Sequence, residues 1–230
     1  LSTLLNDNHT VCKSPKSFNS QMGVPLSVWR LKGDHHTLGI FEAGISHPNK
    51  MDNLRRIIQP TIGVFTHLGD SHSANFESIE QKLNEKLQLF ANCDTIVCSS
   101  YQPEVLSAVK KLSKNTFTWG NDTESNLHVV PSTSNEYTVT YLSKSYQVKL
   151  PTTDKATVEN SFTSLATALA LGEEIEPLIT KLAVLPTIDM RLQQVEGAQG
   201  NTLILDFYNS DFQSVDIAFD FLKQQNTHKK

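Results

Sequence analysis

TIGVFTHLGDSHSANFESIEQKLNEKLQLFANCDTIVCSS, residues 61–100, is the segment that decides the fold. It contains two short apolar runs, at residues 61–66 and 94–100, on either side of a stretch whose apolar residues recur at helical spacing. The helix is predicted to begin after Ser78, because Ser78 and Gln81 have the spacing of a capping box. A strand, a helix and a second strand in this order predict two parallel strands joined by a helical crossover.

The same alternation of strand and helix continues on both sides of this segment. Pro48 stands at the first position of one predicted helix, where its missing N–H costs nothing. Strands that alternate with helices predict an α/β fold with a mainly parallel sheet and helices on both faces. The predicted strands are residues 9–14, 37–44, 61–66 and 94–100, and the predicted helices are residues 26–31, 48–58, a helix from residue 79, and 103–112.

The second half of the chain changes character. Residues 135–151 alternate between apolar and polar side chains on both sides of a turn at residues 143–145, which predicts an antiparallel hairpin. Two helices follow, at residues 158–172 and 174–182, and the first of them is closed by a glycine. Residues 185–201 contain Pro and Gly breakers and are interpreted as a linker. A strand and an amphipathic helix then form a last βα unit that is too small to bury a core of its own.

Composition argues against several classes of protein. The 230 residues carry a net charge of −4, which argues against a surface that coats nucleic acid. The three cysteines form no CxxC pair, so neither a disulfide framework nor a zinc site is expected, and a reducing cytoplasm is the simpler location. No apolar run approaches the ~18 residues of a membrane span, and the chain does not start with the basic segment of a signal peptide.

Polar residues stand where two predicted strands end. Glu42 closes one strand, and His67, Asp70 and His72 follow the next strand along the chain. Ligands of doubly wound sheets bind beyond the carboxyl ends of the strands. If the two strands are neighbours, the carboxylate and the imidazoles share one edge, where they suit a divalent cation. The alternative is that Glu42 caps a nearby helix and His72 is a solvated turn residue.

Two lysines flank the apolar stripe of the helix that follows this turn. Lys82 and Lys86 each lie three residues after a member of the stripe. A lysine there can lay its stem along the edge of the core and reach water, or it can belong to a site. The pattern alone leaves the two lysines equivalent. The stripe comprises Ile79, Leu83, Leu87 and Phe90.

Further candidates lie in loops and at the ends of elements. The loop at residues 14–25 is rich in hydroxyls and amides and can contact phosphate or amide groups of a ligand, although an ordinary surface connection is the simpler interpretation. Asn160 lies near the start of the long helix, Arg191 lies in the linker, and Asp206 ends the last strand. An arginine at a domain boundary can reach phosphate, and an aspartate at a strand end can bind a ribose or cap a turn. The sequence contains no P-loop, no G-x-G-x-x-G and no nucleophile elbow.

Four segments taken together resemble the Mur ligases, the ATP-dependent amide-forming enzymes of peptidoglycan precursor synthesis. The resemblance is strongest to the members that add D-alanyl-D-alanine. The amino-acid sequence of the four segments is especially similar to versions that are fused to a downstream alanine racemase. Each segment alone is a weak signal, but the four occur in the family's order and span nearly the whole chain. The segments are SFNSQMGVP, IFEAGISHP, HLGDSHSANFESIEQKLNEKLQLF and RLQQVEGAQGNTLILDFYNSDFQS.

The resemblance implies a division of the chain. Residues 1–185 are expected to form the central ATPase domain, a mainly parallel sheet flanked by helices with a small antiparallel hairpin sheet. Residues 186–202 are expected to be a linker, and residues 203–230 the first βα unit of a truncated, Rossmann-like C-terminal domain. The family's P-loop is expected just before Leu1, so the chain on its own is expected to be inactive.

The resemblance also implies roles for the metal-site candidates. Glu42 and His72 are expected to bind a catalytic Mg²⁺. Alignment of FESIEQKLNEK with the family's FGSxxxxxxAK places the modified lysine at Lys86 and leaves Lys82 with the ordinary interpretation. That lysine is carbamylated in the family, which turns a cation into an anion able to hold the metal. A half-apolar helix face favours this reaction, because desolvation lowers the pKa of an amine.

The remaining roles concern nucleotide and substrate. The resemblance implies that Asn160 faces the adenine, that Arg191 approaches the phosphates and that Asp206 binds the ribose. The UDP-muramoyl peptide is expected to contact Ser17, Asn19 and Ser20.

The implied function is a ligase that uses ATP and Mg²⁺ to add D-alanyl-D-alanine to UDP-N-acetylmuramoyl-tripeptide through an acyl phosphate. Pyridoxal phosphate (PLP) is expected only if a racemase domain follows. Neither nucleic acid nor a membrane span is expected, and the location is expected to be cytoplasmic. One alternative is a ligase similar to folylpolyglutamate synthase, which shares the fold and the chemistry. Another is a non-catalytic binding or scaffold module that has lost its P-loop.

Overall fold

The computed structural model describes residues 1–70, 72–113, 115–186, 193–206 and 212–223. No helix in these ranges is long and apolar enough to cross a membrane. The helices are α1 (Ser2–Leu5), α2 (Gly23–Val28), α3 (Met51–Ile58), α4 (Ile79–Leu87), α5 (Pro103–Leu112), α6 (Lys155–Ala170), α7 (Ile175–Leu182) and α8 (Phe212–Lys223). The strands are β1 (Val11–Lys13), β2 (Leu38–Ile40), β3 (Ile62–Phe65), β4 (Thr95–Ser99), β5 (Thr116–Gly120), β6 (Leu127–Pro131), β7 (Glu136–Tyr141), β8 (Lys144–Lys149), β9 (Gln193–Glu196) and β10 (Thr202–Leu205).

A sheet of six strands in the order β3-β4-β5-β6-β7-β8 organises the fold. Its first four strands are parallel, and β7 and β8 continue it in antiparallel fashion. The strands β1 and β2 form a separate parallel pair, so the strand before Glu42 does not pair with β3, as the prediction of one shared strand edge had assumed. The predicted α/β class, with a mainly parallel sheet and a small antiparallel part, is therefore confirmed.

Both faces of the large sheet are buried, and this explains the continuous apolar run of β4. Ile96 and Cys98 point into a core formed with α4 and α5, whereas Val97 packs into the larger core beneath α6. All three side chains are fully buried. Strands of a parallel sheet that is covered on both faces show this loss of polar alternation.

A third apolar cluster supports the loops at one end of the molecule. It joins α2, α3 and the loop after β2 to the single 3₁₀ turn at Ser73–Asn75 that precedes α4. The loops that carry the predicted site residues are therefore anchored on a common base. Its buried members are Val24, Ile45, Met51, Leu54 and Phe76.

The start of α4 follows the predicted capping pattern. Ser78 Oγ accepts a hydrogen bond from the Gln81 N–H at 3.0 Å, and the Gln81 side-chain oxygen accepts one from the Glu77 N–H at 2.8 Å. The predicted apolar stripe is only partly correct, because Ile79 is 48% exposed while Leu83 and its successors in the stripe are buried.

Several predicted boundaries near the site are wrong, and α2 begins at Gly23, three residues before its predicted start. The helix α3 begins at Met51 and not at Pro48, because Asn49 has a φ of +60° and the helix is capped by a side chain from α4. The strand β2 ends at Ile40, so Glu42 lies in the loop that follows it. The partner strand β1 is itself only three residues long, and it offers no further backbone for β2 to pair with.

The second half of the chain follows the prediction more closely. The hairpin turns at Leu142 and Ser143, one residue earlier than predicted, and both have positive φ, at +47° and +64°. Helix α6 begins at Lys155 because Asp154 caps it through the Thr157 N–H. Near its end Gly172 takes a φ of +92°, as the glycine signal predicted.

The last elements form a small unit. Part of the predicted linker pairs as a strand, because β9 and β10 are antiparallel neighbours. The helix α8 follows β10 and reproduces the predicted βα order.

Candidate functional site

The carboxylate of Glu42 is held by the loop at residues 14–25. Asn19 Nδ2 donates a hydrogen bond to Glu42 Oε1 at 2.8 Å, and the Gly44 N–H donates to the Asn19 carbonyl at 2.8 Å. The Ser14 hydroxyl accepts a weak bond from the Glu42 N–H at 3.4 Å. The loop at residues 14–25, which sequence analysis assigned to substrate binding, thus also orients the Glu42 side chain.

The two serines predicted to contact substrate have different surroundings. Ser17 and Ser20 are both exposed, and Ser20 Oγ accepts the Gly23 N–H at 3.2 Å at the start of α2. A Cβ on Gly23 would lie 2.9 Å from the Phe18 Cα, so only glycine allows this close return of the chain. The loop is therefore a compact turn that presents Ser17 to solvent.

His72 is held in an uncommon backbone conformation. Its φ is +61°, in the left-handed region that a residue with a side chain seldom adopts. The Ser73 N–H donates to the Asp70 carbonyl at 2.9 Å, and Asn75 Nδ2 donates to the Ser46 carbonyl at 2.8 Å. The second bond ties the turn that bears His72 to the loop that follows Glu42, while the imidazole itself is exposed.

Lys82 contradicts its sequence interpretation. We expected its stem to follow the core and its ammonium to reach water, but the residue is only 2% exposed. Its Nζ donates to the Gly69 carbonyl at 2.6 Å and to Ser73 Oγ at 2.9 Å. Burial lowers the pKa of Lys82, and the negative charge of Asp70 partly opposes that shift.

Lys86 lies one turn further along α4 and is half-buried. Burial lowers its pKa, the ammonium of Lys82 lowers it further, and the carboxylate of Glu42 acts in the opposite direction. The charge of Glu42 therefore affects Lys86, but no ion pair or hydrogen bond joins the two side chains within the described residues, and their place in one metal site stays a prediction. A lysine with a lowered pKa holds more neutral amine, which is the form that reacts with CO₂.

The donor set fits a hard divalent cation once Lys86 is carbamylated. Glu42 and a carbamate supply two anionic oxygens, and His72 supplies an imidazole nitrogen, which together suit Mg²⁺ or Mn²⁺. An unmodified Lys86 ammonium would repel the metal. In the described ranges no three His, Cys, Asp or Glu side chains cluster as a ready-made metal site, and no hydrogen bond or ion pair joins His72 to Glu42 or Lys86. The arrangement of His72 beside the other two stays a prediction.

Asn160 and Asp206, which are predicted to bind the nucleotide, lie in separate parts of the fold. Asn160 is exposed on α6, and Asp206 is half-buried directly after β10. Arg191 lies outside the described residues. No hydrogen bond joins Asn160 to Asp206 within the described part of the chain, and their roles in nucleotide binding stay predictions.

Sequence analysis missed an aromatic group near Asn160. The ring of Tyr101 meets that of Trp119 edge-on with centroids 5.5 Å apart, and Trp119 packs against Phe162 at 5.8 Å. Tyr101 follows the carboxyl end of β4 and is 44% exposed. Its position after an apolar strand was the available signal, because the ends of parallel strands are the usual ligand edge.

The fold is an α/β domain that carries a carboxylate on the loop after β2, a histidine on a turn of positive φ after β3 and a half-buried lysine on α4. The chain matches the Mur ligase middle domain over residues 1–168. Because that match covers well over half of the sequence, the chain belongs to this family.

Relatives with a known name agree with this membership. The UDP-N-acetylmuramoyl-tripeptide–D-alanyl-D-alanine ligase of Rickettsia prowazekii is 24% identical over 235 residues, covering 97% of this chain and 52% of the relative. The structure of MurF from Acinetobacter baumannii is similar with a TM-score of 0.85 at 20% identity, covering 98% of this chain and 51% of that one. The MurF ligase of Thermotoga maritima in complex with ADP gives a TM-score of 0.82 at 22% identity, covering 96% of this chain and 52% of that one. The chain thus spans about half the length of the relatives it matches.

Proposed function

We propose that the intact protein is an ATP-dependent ligase that joins D-alanyl-D-alanine to UDP-N-acetylmuramoyl-tripeptide. The observation that carries this proposal is the half-buried Lys86 on α4, whose pKa responds to the carboxylate of Glu42, a side chain that Asn19 holds through a hydrogen bond of 2.8 Å. Support comes from the relatives, whose names state this reaction, and from the match to the family's middle domain.

The proposed metal ligands are Glu42, His72 and carbamylated Lys86. A divalent cation bound there supplies positive charge where phosphoryl oxygens become more negative, which is the largest stabilising term in phosphoryl transfer. The role of Asn19 is to fix the Glu42 carboxylate through its amide. The half-buried position of Lys86 lowers the pKa of its amine, so that more of the amine is neutral and able to react with CO₂.

The proposed reaction has two steps. In the first, a carboxylate oxygen of the tripeptide bonds to the γ-phosphorus of ATP, and the bond to ADP breaks. In the second, the amine of D-alanyl-D-alanine bonds to the acyl carbon, loses a proton, and releases phosphate. In this scheme Ser17 and Ser20 contact the UDP-muramoyl peptide, in keeping with their exposure beside Glu42.

The proposed nucleotide contacts follow from the same scheme. Asn160 is assigned to the adenine, Asp206 to the ribose and Arg191 to the phosphates. We also propose that residues 1–185 act as the ATPase domain, that residues 186–202 connect it to the next, and that residues 203–230 open a C-terminal domain. A downstream alanine racemase with PLP stays a prediction, which the coding sequence beyond Lys230 tests.

A ligation assay on the intact protein tests the proposal. UDP-N-acetylmuramoyl-tripeptide, D-alanyl-D-alanine, ATP and Mg²⁺ are supplied, and phosphate release and the amide product are measured together. We expect both, and we expect neither with folate and glutamate in place of these substrates. Product from folate would favour the folylpolyglutamate synthase alternative. No phosphate release with either pair would favour the non-catalytic module.

A further inference from the structure

Lys82 is a charged group inside the fold that the proposed reaction does not use. It is among the largest fully buried side chains, although it lies on a helix whose opposite face is open to solvent. A buried ammonium is stable only when its protons are bound by acceptors. Lys82 finds these in the Gly69 carbonyl and in Ser73 Oγ, and it also feels the charge of Asp70.

These two acceptors, which lie within the described residues, stand on either side of His72 in the chain. Gly69 is three residues before His72, and Ser73 is the next residue after it. One ammonium therefore holds both ends of the turn that carries His72, which we call the His72 turn (residues 69–70 and 72–73). An apolar side chain at position 82 would leave the Gly69 carbonyl without this donor, and an unpaired buried carbonyl is unfavourable.

The His72 turn needs such a clamp because its backbone is unfavourable by itself. His72 has a φ of +61°, and conformations of this kind persist only where the surroundings impose them. Asn75 fastens the far side of the turn to the Ser46 carbonyl in the loop after Glu42. Lys82 fastens the near side to α4, the helix that also carries Lys86.

We propose that Lys82 is a positioning residue, whose buried ammonium holds the His72 turn so that the His72 imidazole is presented to the divalent cation. The inference rests on the proposed function, because that function gives His72 its role. Lys82 is not a metal ligand here and does not contact substrate. It acts through the Gly69 carbonyl and the Ser73 hydroxyl.

Two readouts on the intact protein test the proposal. The variant is Lys82→Met, which keeps the length of the side chain and removes the ammonium, and the control is Lys111→Met, the same change at an exposed lysine on α5. The first readout is hydrogen exchange of the amides at residues 72–76. The second is Mn²⁺ affinity in bicarbonate buffer, followed by electron paramagnetic resonance.

We expect Lys82→Met to speed exchange at residues 72–76 and to weaken Mn²⁺ binding by about tenfold, a typical effect of removing a partner that orients a ligand. Lys111→Met is expected to change neither. Unchanged exchange, or faster exchange with unchanged Mn²⁺ affinity, would overturn the proposal. If Lys82→Met does not fold, Ser73→Ala removes one of the two acceptors with little change of volume and is expected to move both readouts in the same direction by a smaller factor.

The controls Glu42→Gln and His72→Ala separate this inference from the proposed function. If these variants bind Mn²⁺ as tightly as the wild type, the proposed metal site is wrong, whatever Lys82 does. If they weaken binding and Lys82→Met does not, only the positioning role of Lys82 is wrong.

Discussion

At the scale of single residues, the proposed function gives Lys86 the central role. We expect Lys86→Ala to abolish ligation by the intact protein, because the variant lacks the nitrogen that forms the carbamate. A short carboxylate such as acetate is expected to restore part of the activity, since it can supply the missing anionic oxygen. The measurement is the rate of phosphate release with and without added acetate.

The matched control is Lys111→Ala, at an exposed position on α5, which is expected to keep full activity and to gain nothing from acetate. Full activity of Lys86→Ala would remove Lys86 from the mechanism.

Glu85 is a second residue whose environment makes a prediction. It is only 5% exposed, and its Oε1 accepts the N–H groups of Lys50 and Met51 at 3.0 and 3.3 Å. An anion at a helix N-terminus satisfies free donors and the helix dipole together. We expect Glu85→Gln to lower the free energy of unfolding by about 1–2 kcal/mol, as is typical for a charged hydrogen bond. Urea denaturation checks it.

The control for this prediction is Glu80→Gln. Glu80 lies in the first turn of the same helix but is exposed, so the change is expected to cost much less. Equal losses in the two variants would mean that the contact with α3 contributes little.

Some features of Lys82, Glu85 and Lys86 could be predicted from the sequence and others could not. Alignment with the family's motif selected Lys86 over Lys82 as the modified lysine, and the apolar pattern alone could not make that choice. Burial of Lys82 and capping by Glu85 were not predictable, because each depends on an acceptor or donor from a different segment. A charged residue at the flank of an apolar stripe gives the same pattern whether its end reaches water or is enclosed.

At the scale of elements, Glu173 joins the start of the chain to the junction of α6 and α7. Its carboxylate accepts hydrogen bonds from Asn8 and from His9 Nε2, the latter at 2.9 Å. The hydrogen bond from Asn8 is the largest cause, and it lowers the pKa of Glu173 below its ordinary value of 4.5. Burial raises that pKa by less than the Asn8 bond lowers it, and the hydrogen bond and charge of His9 lower it further. A carboxyl group whose pKa is lowered in the folded state contributes stability above its unfolded pKa, and that stability is lost as the pH falls through the folded pKa.

The resulting prediction concerns Glu173→Gln. We expect it to lower the free energy of unfolding by about 1 kcal/mol at pH 7 and to have almost no effect once the pH is well below 4.5. Urea titrations at several pH values check this. Glu174→Gln, at the exposed neighbour, is expected to show no such pH dependence, and the same profile in both variants would contradict the account.

The β7–β8 hairpin gives an element-scale test that is independent of charge. Leu142 and Ser143 both have positive φ, which suits a two-residue turn of type I′ and favours Asn-Gly. We expect Leu142→Asn with Ser143→Gly to raise the free energy of unfolding by about 0.5–1 kcal/mol. Thermal unfolding checks the sign. Leu142→Ala with Ser143→Ala is expected to gain nothing, so equal stabilisation by both pairs would point to loss of the exposed Leu142 side chain instead.

Elements were easier to predict than their edges. Most of the strands and helices followed from apolar spacing and from signals such as Ser78 and Gly172, but β5 and β6 were not predicted. The edges of α3 and β2 were missed because a contact from α4 and the short length of β1 decide them, and neither is visible in the local sequence.

At the scale of the whole molecule, the account makes one connected claim. It predicts that Glu42, His72 and Lys86 form a single site. The strand before Glu42 belongs to the separate β1–β2 pair and the strand before the His72 turn belongs to the six-stranded sheet, so the third apolar cluster and the Asn75 and Lys82 hydrogen bonds tie these loops together. The proposed function then assigns a reaction to this site.

One measurement tests this claim most directly. The intact protein is loaded with Mn²⁺ in ¹³C-bicarbonate, and electron–nuclear double resonance is used to look for a ¹³C nucleus coupled to the metal. A carbamate on Lys86 that binds the cation places its carbon one bond from a metal-bound oxygen, so we expect a clear ¹³C coupling in the wild type and none in Lys86→Met. Absence of the coupling in wild-type protein that has bound Mn²⁺, or its persistence in Lys86→Met, would contradict the account.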